Sequence, residues 1–175
     1  IQENVRNAFL NPIVTFITHL GDHGYLWIAL LLVLLVIPKT RKAGLIGAAT
    51  LLLTFLVNNQ CIKPLVARTR PYEVIEGLTI LIKKPGEFSF PSGHTATAFM
   101  TASMLHKEYG WRSPWLSIGG YTAAAVTGVS RICNNRHWLS DVVAGAVVGI
   151  GAVELGYFLT DLIFKEKHLY DRFEK

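Results

Sequence analysis

The run of residues 139–164 constrains this chain more than any other feature: it is long enough to cross a bilayer, and its only charges are Asp141, Glu154 and Asp161. A span needs about 20 predominantly apolar residues, and residues 43–61 come close to that length without a single charge. Three further apolar runs, 24–38, 95–105 and 115–130, are shorter. The run at 95–105 lengthens to a span if its helix starts at Pro91-Ser92, because Pro suits the first helical turn. The run at 24–38 does so if it begins near Leu20. Charged residues make up only 17% of the chain, against about 25% in soluble domains. The expected fold is therefore all-α, an integral membrane helical bundle of five spans.

Residues 1–20 read differently. Val5, Leu10, Ile13, Val14, Ile17 and Leu20 recur at helical spacing among polar neighbours, which predicts an amphipathic helix. Lying at the membrane interface and capping the bundle fit this pattern equally well. No secretory signal is visible, and the start at Ile1 leaves room for an upstream span. The length suits a single domain over 1–175, with an active-site loop at 62–92 and a motif core at 63–141. The net charge of +5 does not point to nucleic acid, since the basic residues sit between apolar runs and no nucleic-acid motif is present.

Three polar blocks interrupt this apolar pattern. Lys63 precedes Arg70-Pro71; Pro91-Ser92-Gly93-His94 leads into an apolar run; Ser130-Arg131 is followed by His137 and Asp141. With five spans joined by short loops, all three blocks fall on one face. His137 and Asp141 are four residues apart, so on a helix beginning near His137 they share a side. The carboxylate can then fix the imidazole tautomer and leave the other ring nitrogen free to attack. A loop from Ser130 would carry Arg131 back beside that ring. Gly93 admits close approach of an anion at a helix start, where Ser92 adds a hydroxyl, and His94 is placed to protonate a leaving oxygen. Lys63 and Arg70 are suited to clamping phosphate oxygens. Each block also has a plain reading: a surface His–Asp pair, a Ser92 helix cap, cations at a membrane interface. Their joint occurrence favours phosphate chemistry.

The blocks resemble the signature of the type 2 phosphatidic acid phosphatase superfamily, Lys-x6-Arg-Pro, Pro-Ser-Gly-His and Ser-Arg-x5-His-x3-Asp. Every fixed position is filled here. The resemblance implies an α-helical bundle acting on a phosphate ester through a phosphohistidine at His137. It implies that Asp141 orients the nucleophile and that His94 serves as proton donor. Lys63, Arg70, Ser92, Gly93 and Arg131 would bind the phosphate, with no metal and no cofactor. Two departures concern specificity: the insert 132–136, Ile-Cys-Asn-Asn-Arg, and Leu139 where many members carry Pro. Arg136 adds a cation beside the nucleophile, and suits a second phosphate or a solvated rim equally.

The implied function is hydrolysis of a lipid phosphate or diphosphate drawn from the bilayer, with undecaprenyl diphosphate the best guess. Phosphatidylglycerol phosphate, phosphatidic acid and lipid A are the alternatives, followed by a non-enzymatic lipid-phosphate binder or transporter. No protein partner is needed. Apart from three expected phosphate ligands, nine Lys and Arg residues fall on the face opposite the blocks and five on the block face. Basic residues favour the cytoplasm, so the site is expected on the external or periplasmic side of the cytoplasmic membrane. Cys61 and Cys133 read as two thiols rather than a disulfide. Gly145 and Gly149 form a small-x3-small pair suited to close helix packing within the bundle.

Overall fold

The computed structural model describes residues 6–20, 25–82, 84 and 86–167. The expectations at residues 1–5, and those placing Lys83, Arg172 and Lys175, lie outside them. The described residues contain helices and connecting segments and no strand. In chain order the helices are α1 (Leu10–Leu20), α2 (Tyr25–Val36), α3 (Arg41–Phe55), α4 (Lys63–Val66), α5 (Pro71–Val74), α6 (Gly93–Tyr109), α7 (Pro114–Cys133) and α8 (Leu139–Lys167). A widened π-helical stretch, Leu56–Ile62, joins α3 to α4. The segment expected as a loop at 62–92 thus carries two short helices.

Two helical stretches are long and apolar enough to cross a membrane, Pro38–Val74 and Leu139–Leu162, and Tyr25–Val36 is apolar but shorter. Large apolar side chains point outward along these elements, among them Leu52, Val147 and Phe158. Several polar ones point inward: Thr50 and Thr54 are buried and donate to carbonyls one turn back, Ile46 O at 2.9 Å and Thr50 O at 2.7 Å. An apolar exterior over a partly polar interior suits lipid as the surrounding solvent.

α6 is the central rod, packed on both α7 and α8. Contact with α8 depends on glycine: a Cβ at Gly145 would lie 2.5 Å from Ser92 O, and one at Gly149 2.1 Å from Ala96 O. The small-x3-small pair therefore works inside the bundle. Leu31, Leu34, Met100, Met104 and Val153 fill the core where α2, α6 and α8 meet. α1 is docked rather than loose: Thr18 is buried, and its hydroxyl accepts from Asn134 Nδ2 at 2.7 Å.

Candidate active site

α7 ends at Cys133, and the chain turns through Asn135, whose φ of 56° is left-handed, before α8 begins at Leu139. His137 therefore sits in the turn, not on the helix as its spacing predicts. Asp141 lies in the first turn of α8, and its Oδ2 accepts the backbone N–H of Trp138 at 2.9 Å. That bond folds the turn back over the helix start and brings His137 Nδ1 to 3.4 Å from Oδ2. His137 and Asp141 thus meet as expected, by a different local route.

Asp141 has no solvent-exposed surface. Its Oδ1 accepts from Arg68 Nη1 at 2.9 Å, and Oδ2 also accepts from Ser89 Oγ. The carboxylate position is thus set from three elements. Arg68 is itself held, donating to Ser140 Oγ at 2.6 Å and lying 5.1 Å over the Trp138 ring. Its approach depends on Ala67, which ends α4 in the left-handed conformation at φ 46° and reverses the chain.

On the other side of the ring, Arg70 Nη1 stands 3.3 Å from His137 Nε2. Arg70 is fixed by carbonyls: Nε donates to Glu87 O at 2.9 Å, Nη1 to Arg136 O at 2.9 Å and Nη2 to Phe88 O at 3.1 Å. Lys63 is buried, and its ammonium meets the Glu87 carboxylate at 2.6 Å. Arg131 is fully buried in the last turn of α7, not in a loop, and one of its donors goes to Thr18 O at 2.9 Å. Ser92 caps α6, its Oγ accepting from Thr95 Oγ1 at 2.9 Å, while its own N–H donates to Asp141 O at 3.0 Å. Gly93 and His94 open α6, with the Asn58 and Asn59 amides of the π-helical stretch beside Gly93. The three blocks, well separated in sequence, thus converge at one end of the bundle.

Residues 42–162 match the family model described as the PAP2 superfamily. The chain belongs to the PAP2 superfamily. It is 61% identical over 83 residues to a lipid A 1-phosphatase of Porphyromonas gingivalis, an alignment covering 47% of this chain and 19% of that protein. It is 30% identical over 148 residues to an undecaprenyl-diphosphatase of Sulfolobus acidocaldarius, covering 81% and 66%. The chain thus spans about a fifth of one relative's length and about two thirds of the other's. Its fold is similar to the crystal structure of Aquifex aeolicus LpxE, with TM-score 0.76 and 26% identity over 88% of each chain. It is also similar to a transmembrane PAP2 type phosphatidylglycerolphosphate phosphatase from Bacillus subtilis. There the TM-score is 0.73 at 27% identity, covering 91% of this chain and 80% of that one. With its two long apolar helices, this PAP2 protein is a membrane protein.

Sequence reasoning on this PAP2 chain did not anticipate Arg68, Ser89, Glu87 or Thr18. The Arg-x-Arg-Pro spacing of Arg68 was the one available signal. Arg136 contributes its carbonyl to Arg70. Cys61 is exposed and Cys133 buried, and both are free thiols.

Burial pushes the His137 imidazole down to about 3; Asp141 pulls the other way, while the Arg70 and Arg131 charges add to the lowering. In the folded protein His137 is neutral at neutral pH, whereas unfolded it takes up a proton near pH 6.5. Burying it neutral supports the fold fully above that pH, and the support drains away as pH falls toward 3. Wild-type protein in detergent should lose stability below pH 6.5, by up to about 1.4 kcal/mol per pH unit from this group. His137→Gln should flatten the profile of Tm against pH, and identical slopes in the two proteins would mean that His137 titrates as a solvated group.

Proposed function

We propose that this PAP2 protein is a metal-independent lipid phosphatase that works through a phosphohistidine at His137. The observation that carries the reading is the setting of one buried, neutral imidazole: its Nδ1 faces Asp141 and its Nε2 faces a guanidinium. A proton on Nδ1, turned toward the carboxylate, leaves a lone pair on Nε2, where Arg70 stands ready to meet phosphate oxygens.

Nε2 attacks phosphorus, the N–P bond forms as the bond to the lipid oxygen breaks, and His94 gives that oxygen its proton. Water then attacks the phosphohistidine, His94 takes the water's proton, and inorganic phosphate leaves with His137 restored. Lys63, Arg70 and Arg131 supply fixed positive charge to the equatorial oxygens, the role that metal ions fill in many phosphoryl-transfer enzymes. Ser92 and the Gly93 N–H at the start of α6 add donors there.

For the lipid, the 61% identity to a lipid A 1-phosphatase supports a lipid A 1-phosphate head group. Undecaprenyl diphosphate is the second reading, supported by the longer alignment with the Sulfolobus relative and by the position of Arg136 next to His137 in the chain. We place the site on the external face of the membrane, because Lys39, Arg41, Lys42, Lys107 and Arg112 lie toward the opposite end of the bundle and positive charge favours the cytoplasm.

The test is phosphate release by purified protein in detergent and EDTA, against lipid A 1-phosphate, undecaprenyl diphosphate, phosphatidylglycerol phosphate and phosphatidic acid. The expected result is release that survives chelation, fastest with lipid A 1-phosphate and dependent on His94. Preference for the polyprenyl lipid would select the second reading. Silence across the panel would leave a binder or transporter.

A further inference from the structure

Lys63 and Arg70, both expected to grip phosphate, are already engaged by one short segment. The Glu87 side chain holds the Lys63 ammonium at 2.6 Å, and the Glu87 and Phe88 carbonyls take two of the Arg70 donors. The two ends of the Lys63–Glu87 pair differ: the Lys63 side chain is 8% exposed and that of Glu87 is 64% exposed. A buried ammonium needs an anionic partner, whereas an exposed carboxylate can return to water at little cost. Beside the pair lies a cavity of about 310 Å³, lined by Phe55, Asn59, Gln60, Pro64 and Phe88 as well as by Lys63 and Glu87.

We propose that the Glu87 carboxylate is an internal occupant of the phosphate cradle, holding Lys63 while the cradle is empty and giving it up to an incoming phosphoryl group. The proposal rests on the reading of Lys63 as a phosphate ligand. Glu87 carries the negative charge that phosphate brings, it sits at hydrogen-bond distance from the ammonium, and it has open space to move into. The hydrogen bond from Lys63 holds the Glu87 carboxyl below its ordinary value against the effect of burial; the charges of Lys63, Arg70 and His94 act in the same direction. At working pH the competitor is therefore ionised. Glu87 then sets how tightly a phosphate binds and how readily the product leaves, because the same carboxylate recaptures Lys63 as inorganic phosphate departs.

The experiment is calorimetric titration of inorganic orthophosphate onto the full chain in detergent, independent of turnover. Glu87→Gln should bind orthophosphate about 2- to 5-fold more tightly than wild type, the range of a partly exposed charge pair. Lys63→Ala should bind more weakly, and adding Glu87→Gln to Lys63→Ala should bring no gain. Glu76→Gln, which removes an exposed carboxylate from the segment after α5, should match wild type. Unchanged or weaker binding by Glu87→Gln, alongside weakening by Lys63→Ala, would overturn the proposal and leave the phosphate reading intact. A gain from Glu87→Gln that persists without Lys63 would also overturn it, since the carboxylate would then act by general repulsion. Unaltered binding by Lys63→Ala would remove the phosphate reading of Lys63 and the proposal together. Because Glu87→Gln takes the carboxylate away from the buried Lys63 ammonium, a melting curve for each protein checks that the variant is folded before its binding is compared.

Discussion

Substituting alanine for His137 is expected to abolish phosphate release, lowering kcat by at least about 10⁴-fold, because no other imidazole takes over the position between Asp141 and Arg70. The loss should fall on kcat. Lys63, Arg70 and Arg131 belong to other segments, and Arg70 keeps its three carbonyl partners in the variant, so orthophosphate should still bind. Asp141 also retains Arg68, Ser89 and the Trp138 N–H, so the carboxylate is not left as an unpaired buried charge. The truncation opens a polar gap where the ring stood, and free imidazole added to the assay should enter it and restore part of the turnover. Activity within tenfold of wild type would eliminate His137 as the nucleophile. Loss of orthophosphate binding along with turnover would instead point to a collapsed cradle, which His137→Gln, closer in volume, would separate from lost chemistry.

The second large effect is structural and sits where α8 crosses α6. A methyl group at Gly149 would come within 2.1 Å of Ala96 O, 2.9 Å of Met100 N and 3.0 Å of Ala96 C. All of these are main-chain atoms of α6, so no side-chain rotation relieves the clash and the helices must separate. Overpacking of this kind costs about 1–3 kcal/mol when side chains can give way. With only backbone to push, Gly149→Ala should lie at or above the top of that range, and Gly149→Val should not yield folded protein. Two turns of chemistry ride on the same contact, because Gly145 presses on Ser92 O, just ahead of His94. A milder Gly145→Ala protein that folds should therefore lose turnover more than stability. Gly151, with nothing within 4 Å of its would-be Cβ, is the internal control. Gly151→Ala should be neutral or stabilising by up to about 1 kcal/mol through helix propensity. Thermal unfolding in one detergent compares the three positions, and equal Tm values for Gly149→Ala and Gly151→Ala would rule out the close-packing account.

The elements most legible in the sequence are those with a local cause. Apolar runs of sufficient length became α3 and α8, and Pro-Ser-Gly-His became a capped helix start because Ser92 and Thr95 satisfy each other within one turn. The convergence of the blocks followed from alternating helix direction alone. Legibility failed where a residue's place depends on distant chain. Nothing periodic marks Arg68 or Ser89, which reach Asp141 across 73 and 52 residues. The spacing of His137 and Asp141 suggested one helix face, but the Trp138 N–H claimed the carboxylate and started the helix two residues later. The widened stretch at 56–62 has no signature in its own residues; it turns the buried Asn58 toward Pro91 O, 3.5 Å away. Glu87 carries no mark of its own either, since its bond to Lys63 spans 24 residues.

The docking of α1 has a consequence for the order in which the molecule can be assembled. The Thr18 carbonyl and hydroxyl wait for Arg131 and Asn134, more than a hundred positions later in the chain. Closing so long a loop costs little additional entropy once the ends are near, but it cannot happen before α7 has been made. α1 therefore makes neither bond until α7 has been made, and the buried Arg131 guanidinium gains this carbonyl only then. Around Arg131 the site matures as a long-range closure between α1 and α7 rather than as a local fold of its motifs.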